Sequence, residues 1–362
     1  AGPDDSFGSP DDETFSIGTN ASGRYALGNL PTGEYLLTVD VTTLPPGMTA
    51  TFDADGTLDD RTTTTLAPVG TVLDADFGYT GSGEIGDLVW LDLDGDGIHS
   101  PDEPGIPRQE VEITWAGPDG VVGNADDQAF SLVTNVFGEY LLDSLPPGVY
   151  DVAVTGHITT AAANSRDEDN DLDSHTTVAL GDGARHSTAD FGYAGSVSIG
   201  DRVWLDLNGD GSADATEPGL AGVGITATWF GVDGVAGGLD DVALPESAAN
   251  ADGAYLLSGL PAGSYRVAVT GGVPPGLINS ADEDSNNDGR VDIANLATGA
   301  VHDTADFGYA GEGSIGDSVW WDLDGKGTRS ETEPGLAGAP IALTWDGFYN
   351  SIDTDDDETI TD

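Results

Sequence analysis

Acidic side chains recur in this sequence at the spacing of a calcium-binding loop. Residues 92–103 fit the pattern D-x-[DN]-x-[DN]-G-x5-E without a mismatch. In such a loop, hard oxygen donors converge on the ion and a glycine allows the sharp turn. The predicted ligands are the side chains of Asp92, Asp94, Asp96 and Glu103 and the backbone carbonyl of Ile98.

The same loop occurs twice more along the chain. The second copy offers Asp206, Asn208, Asp210, the carbonyl of Ser212, and Glu217. The third copy keeps Asp322, Asp324 and Glu333, but Lys326 stands where the fifth-position ligand belongs. An ammonium group cannot bind a cation and repels it. We therefore expect a weak or empty third site, or one where Lys326 replaces the ion by pairing with Asp322 and Asp324.

A second acidic cluster has less regular spacing. Like charges crowded into a short loop repel one another unless a cation lies between them. A metal site is the favoured interpretation, and a solvated acidic turn is the alternative. The candidate ligands are Asp167, Asp169, Asp171 and Asp173, then Asp282, Asp284, Asp288 and Asp292, and in the first part of the chain Asp53, Asp55 and Asp59.

A third acidic cluster leaves a cation site and a plain hairpin loop equally open. Its members are Asp119, Asp126 and Asp127, then Asp233, Asp240 and Asp241, then Asp4, Asp11 and Asp12, and a run from Asp353 to Asp357.

Short strands must position these loops, because the calcium loops follow VWLD rather than an amphipathic helix. This favours a structural ion over a sensor that opens a groove. The apolar stretches are short, rich in β-branched and aromatic residues, and bounded by Gly, Pro, Asp and Asn, which is typical of strands. With 53 Gly and 19 Pro, the pattern predicts an all-β fold with about seven strands in each sandwich.

The chain repeats itself with the period of a domain. The string IGD recurs at Ile85, Ile199 and Ile315, after 114 and then 116 residues, and DFGY recurs in step. We predict complete repeats at 82–195 and 196–311. Residues 1–81 form the C-terminal part of a repeat and 312–362 the N-terminal part. Either a longer chain completes these parts, or neighbouring copies complete each other end to end in a filament.

Composition excludes several classes of partner. The chain carries 65 Asp and Glu against 10 Lys and Arg, a net charge of −55. Such a polyanion does not bind nucleic acid phosphates and is repelled by anionic membranes. No apolar stretch is long enough for direct membrane insertion of this part of the chain. The absence of Cys excludes disulfides and thiolate sites.

Nothing in the sequence forms a recognisable catalytic set, so we do not expect an enzyme. The five His residues are read as sharing no phase of the repeat, and neither G-x-S-x-G nor H-E-x-x-H occurs. The tryptophans at Trp90, Trp204 and Trp320, and those at Trp115, Trp229 and Trp345, recur in phase and are interpreted as core. Trp321 should point to the opposite face as a possible contact residue.

The order IGDLVWLDLDGDGIHSPDEPG, GEYLLDSLPPGVYDVAV and DFGY resembles the SdrD B-like domains, the B-type repeats of bacterial serine-aspartate-repeat surface proteins in the collagen-adhesin B-like superfamily. The resemblance implies a calcium-binding, immunoglobulin-like or prealbumin-like β-sandwich that acts as a spacer in cell-surface stalks. It also implies that Asp87, Asp201 and Asp317 lie near a metal. Relatives are often locked by a Lys isopeptide bond, but the single Lys of this chain lies in a calcium loop.

We therefore predict a structural role for the tandem all-β repeats. They would form an extracellular stalk or filament at the cell surface, stabilised by Ca²⁺ and contacting neighbouring repeats or copies end to end. The alternative is an adhesin that binds a host protein or glycan. We expect no nucleic acid partner.

Overall fold

Alternating side chains account for the strands that dominate the structure, a computed structural model that describes residues 6–20, 22–345 and 358–360. In HTTVAL, residues 175–180, every second side chain is buried. Such alternation belongs to a strand with one face on a core.

Counting the partial repeat 1–81 as the first, the second repeat is predicted at 82–195 and the third at 196–311. The second repeat contains nine strands and a one-turn helix, where about seven strands were predicted. Two of its strands, Ala163–Arg166 and Arg185–Ser187, are only four and three residues long. The elements are β5 (Gly83–Leu91), β6 (Glu110–Trp115), β7 (Gln128–Val133), β8 (Glu139–Leu145), β9 (Gly148–Val154), α1 (Ile158–Ala161), β10 (Ala163–Arg166), β11 (His175–Leu180), β12 (Arg185–Ser187) and β13 (Phe191–Ala194).

These strands form two sheets that enclose a core. One sheet has the order β10-β13-β5-β12, with β8 also paired to β5, and the other has the order β11-β9-β6-β7. Ile85, Val89, Ile113, Val152 and Phe191 from both sheets are buried together. Two sheets around one apolar layer make a β-sandwich, so the predicted all-β sandwich class is confirmed.

The third repeat has the same architecture, with its long strand interrupted. The strand that is continuous as β5 in the second repeat is here split at 200–202. The elements are β14 (Val197–Ile199), β15 (Val203–Leu205), β16 (Gly224–Trp229), β17 (Val242–Ala243), β18 (Ser247–Ala248), β19 (Leu257–Leu260), β20 (Gly263–Gly271), β21 (Leu277–Asp282), β22 (Arg290–Leu296), β23 (Val301–His302) and β24 (Phe307–Gly311).

The flanking parts of the chain form three two-stranded sheets, Gly33–Thr38 with Arg61–Leu66, Thr49–Asp53 with Phe77–Thr80, and Leu343–Trp345 with Glu358–Ile360. Large apolar side chains there remain exposed, including Leu73 and Ile315. The elements are β1 (Gly33–Thr38), a 3-10 turn (Val41–Thr43), β2 (Thr49–Asp53), β3 (Arg61–Leu66), β4 (Phe77–Thr80), β25 (Leu343–Trp345) and β26 (Glu358–Ile360). The three predicted domain boundaries stay predictions.

Three of the four tryptophans predicted as core in the two complete repeats are buried. Trp90, Trp204 and Trp229 are 2%, 3% and 0% exposed, and Trp115 packs half-buried against the core. Trp321 is 59% exposed, whereas Trp320 beside it is half-buried.

Candidate metal centre

The first calcium-type loop begins where two parallel strands end together. Tyr193 at the end of β13 lies opposite Leu91 at the end of β5, and the Asp92 amide donates to the Tyr193 carbonyl at 3.0 Å. The Asp92 side chain is fully buried. Its carboxylate accepts hydrogen bonds from the backbone of Gly95 at 2.8 Å and of Gly97 at 3.0 Å, which offset the cost of burying the charge.

The loop brings three carboxylates to one point. Oxygens of Asp92, Asp94 and Asp96 all lie within 4.8 Å of one another. The Asp96 amide donates to Asp94, and Asp96 accepts in turn from the Ile98 amide at 2.7 Å. Glycines at the φ > 0 positions 95 and 97 make these tight turns possible.

Glu103 lies at the end of the loop and holds it closed. It is 6% exposed, and its two oxygens accept from the amides of Leu93 at 2.8 Å and Ser100 at 2.9 Å. Its carboxylate is not part of the group formed by the three aspartates. The loop is therefore shaped by hydrogen bonds from backbone to carboxylate.

The second loop repeats this arrangement. Asp206 is 2% exposed and accepts from the amides of Gly209 and Gly211, at 2.7 and 3.1 Å. Glu217 accepts from Leu207 at 2.8 Å, and Asp210 accepts from the Ser212 amide at 2.8 Å. The Asn208 amide group donates to Asp210 at 3.1 Å. Two copies at one phase of the repeat thus adopt one backbone geometry.

The third loop keeps the shape and acquires a cation of its own. Oxygens of Asp322, Asp324 and Glu333 lie within 4.8 Å of one another, and the Lys326 ammonium pairs with Asp324 at 2.7 Å. Asp322 accepts from the Lys326 backbone amide at 3.2 Å. Hydrogen bonds from the backbone, chiefly from Gly327, lower the pKa of Asp322. The Lys326 ammonium group therefore pairs with Asp324 and not with Asp322, which only its backbone amide contacts, and the weak or empty third site stays a prediction.

The donor set fits a calcium ion. Calcium accepts carboxylate and carbonyl oxygens at 2.3–2.6 Å, so ligand oxygens on opposite sides of one ion lie at most about 5 Å apart. The three aspartates of the first loop meet this limit. Among the described residues, no Lys or Arg forms an ion pair with them.

The second acidic cluster centres on one buried carboxylate in each repeat. Asp167 is fully buried and accepts from the amides of Leu172 and Asp173. Asp282 is 8% exposed and accepts from Asn287 and Asp288. In the first part of the chain Asp53 is 4% exposed, and one of its oxygens is buried without a hydrogen-bond partner.

The remaining members of this cluster are dispersed. Asp55, Asp59, Asp169, Asp171, Asp173, Asp284 and Asp288 are exposed. Asp292 lies on β22, away from the loop, where Arg266 of β20 holds it with two hydrogen bonds of 2.7 Å. That hydrogen bond lowers the pKa of Asp292. Its carboxylate is therefore occupied by a guanidinium group, so we leave Asp292 out of the proposed site.

The third acidic cluster forms a recurring turn. Asp12, Asp127 and Asp241 each accept from the amide four residues earlier, those of Gly8, Gly123 and Gly237, at 2.6 to 2.7 Å. These bonds stabilise a hairpin loop, and the choice between a loop and a cation site stays open. Asp4 and the run from Asp353 to Asp357 lie outside the described residues.

The aspartates of IGD lie beside those of DFGY. Asp190 accepts from the Leu88 amide at 3.1 Å, and Asp306 accepts from the Arg202 amide at 2.9 Å. Burial, followed by the nearby charge of Asp87, raises the pKa of Asp190 to about 6. Burial likewise raises the pKa of Asp306, with Asp201 adding to it. The charges of Asp87 and Asp201 therefore act on Asp190 and Asp306, respectively, while Asp317 is exposed.

The interpretation that the histidines share no phase is wrong. His186 and His302 stand one period apart, and each binds a Glu of the second acidic loop, Glu168 at 2.6 Å and Glu283 at 2.8 Å. Thr188 and Thr304 donate to the same two carboxylates at 3.0 Å. In the first part of the chain, residues 54 and 72 hold the positions of this Glu and this His. They are Ala and Val, so both members of the Glu–His pair are missing there. Aligning the histidines by phase would have found it.

A family model and several relatives match this chain. The model of the SdrD B-like domain matches residues 83–193 and 197–309. Serine-aspartate repeat-containing protein D of Staphylococcus aureus (strain Newman) is 29% identical over 90% of this chain and 24% of its own length. Serine-aspartate repeat-containing protein F of Staphylococcus epidermidis is 30% identical over 91% of this chain and 19% of its own. The chain spans about a quarter or less of these relatives.

Solved structures give weaker matches. The minor pilin GBS52 of Streptococcus agalactiae is 15% identical and covers 65% of this chain and 99% of its own, with a TM-score of 0.25. The shaft pilin SpaA of Lactobacillus rhamnosus GG is 14% identical and covers 66% of this chain and all of its own, again with a TM-score of 0.25. Among the described residues, no helix has the length and apolarity that a membrane crossing requires.

Proposed function

The chain belongs to the SdrD B-like domain family, and we propose that its repeats form a calcium-stabilised structural segment of an extracellular stalk or filament. Its location is the cell surface, as for the serine-aspartate repeat proteins that it resembles. We propose that the repeats bind calcium ions, contact neighbouring repeats or copies end to end, and serve a mechanical role.

One observation carries the proposal. In both complete repeats a buried aspartate, Asp92 or Asp206, is held by backbone amides at the start of a loop with the calcium spacing. A loop that already has its bound shape loses little conformational entropy on binding. An ion bound only to the folded loop stabilises the fold by mass action, by about 2.7 kcal/mol at a hundredfold excess over Kd.

The proposed ligands are the loop donors predicted from the sequence. They are Asp92, Asp94, Asp96, the carbonyl of Ile98 and Glu103 in the second repeat, and Asp206, Asn208, Asp210, the carbonyl of Ser212 and Glu217 in the third. Asp167 and Asp282, the buried centres of the second cluster, are proposed as further sites. When bound, the ion would neutralise the carboxylates and cross-link the ends of the loop.

Thermal unfolding of the full chain in calcium and in EDTA tests the stabilising role. We expect the midpoint to fall in EDTA, and an unchanged midpoint would end the proposal.

The variant Asp96→Lys reproduces the lysine found at this phase as Lys326, so the fold should tolerate it. It should bind one calcium ion fewer by calorimetry. Asp143→Lys, the same charge change on an exposed position of β8, should lose none.

The alternative function, an adhesin for a host protein or glycan, is not supported by Trp321. Its side chain is 59% exposed, but the counterparts Leu91 and Leu205 are 0% and 7% exposed in the complete repeats. The exposure of Trp321 therefore belongs to the predicted partial repeat 312–362, where Ile315 and Ile341 are exposed as well. A glycan array with the full chain tests this alternative, and the absence of any binding would exclude glycans.

A further inference from the structure

A turn of the third repeat rests on the calcium loop of the second repeat. Gly259 in β19 has a φ of +71°, and a Cβ added to it would lie 1.9 Å from the carbonyl oxygen of Leu93. Leu93 is the second residue of the 92–103 loop and packs half-buried against the core. The two backbones are therefore in contact at a position where any side chain on residue 259 would collide.

A second contact joins the same two elements. The Ala262 amide donates to the Ala161 carbonyl at 2.8 Å. Ala161 is the last residue of α1, and the final carbonyls of a helix have no partner within the helix. The turn of the third repeat thus satisfies a backbone group that the second repeat leaves free.

We propose that the turn 258–262 is a docking element, and that loop 92–103 together with the end of α1 is the surface which receives it. The partner that this surface fits is another repeat of the same family presenting the same turn. The contact itself is backbone packing, and only its coupling to calcium rests on the proposed function.

On the third repeat, the corresponding positions carry no docked turn among the described residues. Leu207, the counterpart of Leu93, is 43% exposed. Gly276 stands at the phase of Ala161, and nothing lies within 4 Å of a Cβ added there. The corresponding Gly47 of the first repeat lies against Asp182 of the second, because an added Cβ would be 1.9 Å from its Oδ1. This phase of the repeat thus contacts the following repeat at two junctions, through Asp182 at the first and through turn 258–262 at the second, and no described residue lies against it at the junction to residues 312–345.

Docking and ion binding share one short piece of backbone. Leu93 directly follows Asp92, and its amide donates to Glu103 at 2.8 Å. A shift of Leu93 would move the first ligand and the residue that closes the loop. Coupling between two sites is reciprocal, so calcium should stabilise the junction, and a docked neighbour should order the loop.

Two glycine variants of the full chain isolate the contact. Gly259→Ala creates the collision with Leu93, whereas Gly299→Ala has nearly the same φ of +75° with nothing within 4 Å of the added Cβ. Both carry the same backbone penalty for an L-residue. In calcium, we expect amides 93–97 to exchange hydrogen about fivefold faster or more in Gly259→Ala, the lower end of typical coupling. X-ray scattering should also show a wider range of shapes, and Gly299→Ala should match the wild type in both.

A third variant tests the same contact with a substitution that the fold should tolerate. The second repeat has Pro147 at the phase of Ala262, so Ala262→Pro should fold while losing the amide that bonds Ala161. It should loosen the junction as Gly259→Ala does. Equal exchange and equal scattering in all three variants and the wild type would overturn the docking surface. If calorimetry shows no calcium binding, the proposed function falls, and the same comparison in that buffer still decides the docking surface.

Discussion

Asp190 joins the two sequence motifs that define each repeat. It accepts the Leu88 amide next to IGD, and burial, followed by the charge of Asp87, raises its pKa to about 6. An acid whose pKa is raised in the fold binds more protons folded than unfolded. Its contribution to stability is therefore complete below its ordinary value of 3.8 and disappears as the pH rises through 6.

The variant Asp190→Asn should remove this pH dependence. In saturating calcium, the difference between the free energies of unfolding of the wild type and the variant should shift in favour of the wild type as the pH falls from 7 to 5. Denaturant unfolding at several pH values measures the difference, and Asp143→Asn at an exposed site is the control. A constant difference across that range would mean that Asp190 does not take up a proton there.

Lys326 decides the charge of the third loop. Its ammonium group pairs with Asp324 at 2.7 Å in a loop whose backbone otherwise follows the first two. Lys326→Asp would restore the oxygen donor that Asp96 and Asp210 supply at this phase. We expect one additional calcium ion per chain by calorimetry. Lys326→Met, which removes the cation without supplying a ligand, should add none if the missing donor limits binding.

Sequence reasoning succeeded where the interaction is local in the chain. The loop of Asp92 and its glycines lies within twelve residues, and three of its four predicted carboxylates, Asp92, Asp94 and Asp96, lie together, whereas that of Glu103 lies outside this group. The bond between Asp190 and Leu88 spans 102 residues, and the one between His186 and Glu168 requires β12 to lie beside the loop that follows β10. Asp292 follows Asp288 of the loop by only four residues, so spacing did not show that it lies on β22, where Arg266 binds it.

At the scale of elements, one tyrosine ties each hairpin to the segment before the last strand. The hydroxyl groups of Tyr140 and Tyr255 donate to the carbonyls of Ala189 and Ala305, and both side chains are buried. Burial raises the pKa of Tyr140 well above its usual value, so the hydroxyl stays protonated and donates. In the second repeat this bond connects β8 to the residues just before β13, and both strands pair with β5.

Replacing Tyr140 by Phe should leave the Ala189 carbonyl without this donor. A buried acceptor left unpaired costs about 1–3 kcal/mol, so the second repeat should unfold at lower denaturant concentration. Tyr255→Phe should affect the third repeat to a similar extent, because the geometry recurs. The outcome that contradicts this is a change below about 0.5 kcal/mol, as at unconstrained surface sites, and Tyr35→Phe in the first repeat serves as comparison.

At the scale of the whole molecule, charge opposes compactness. A net charge of −55 repels itself over distances set by salt, because the screening length falls from about 30 Å at 0.01 M to about 3 Å at 1 M. Bound ions act differently, since they neutralise carboxylates inside the loops at any ionic strength. Screening and binding can therefore be separated by varying them independently.

In EDTA, we expect the radius of gyration from X-ray scattering to decrease as NaCl rises from 0.01 to about 1 M. In calcium, the chain should be more compact at low salt and respond less to NaCl. Magnesium at the same concentration provides the control, because it prefers near-ideal octahedral sites with several waters and fits flexible carboxylate loops poorly. If magnesium compacts the chain as well as calcium does, divalent screening explains the effect and ligation by the loops does not.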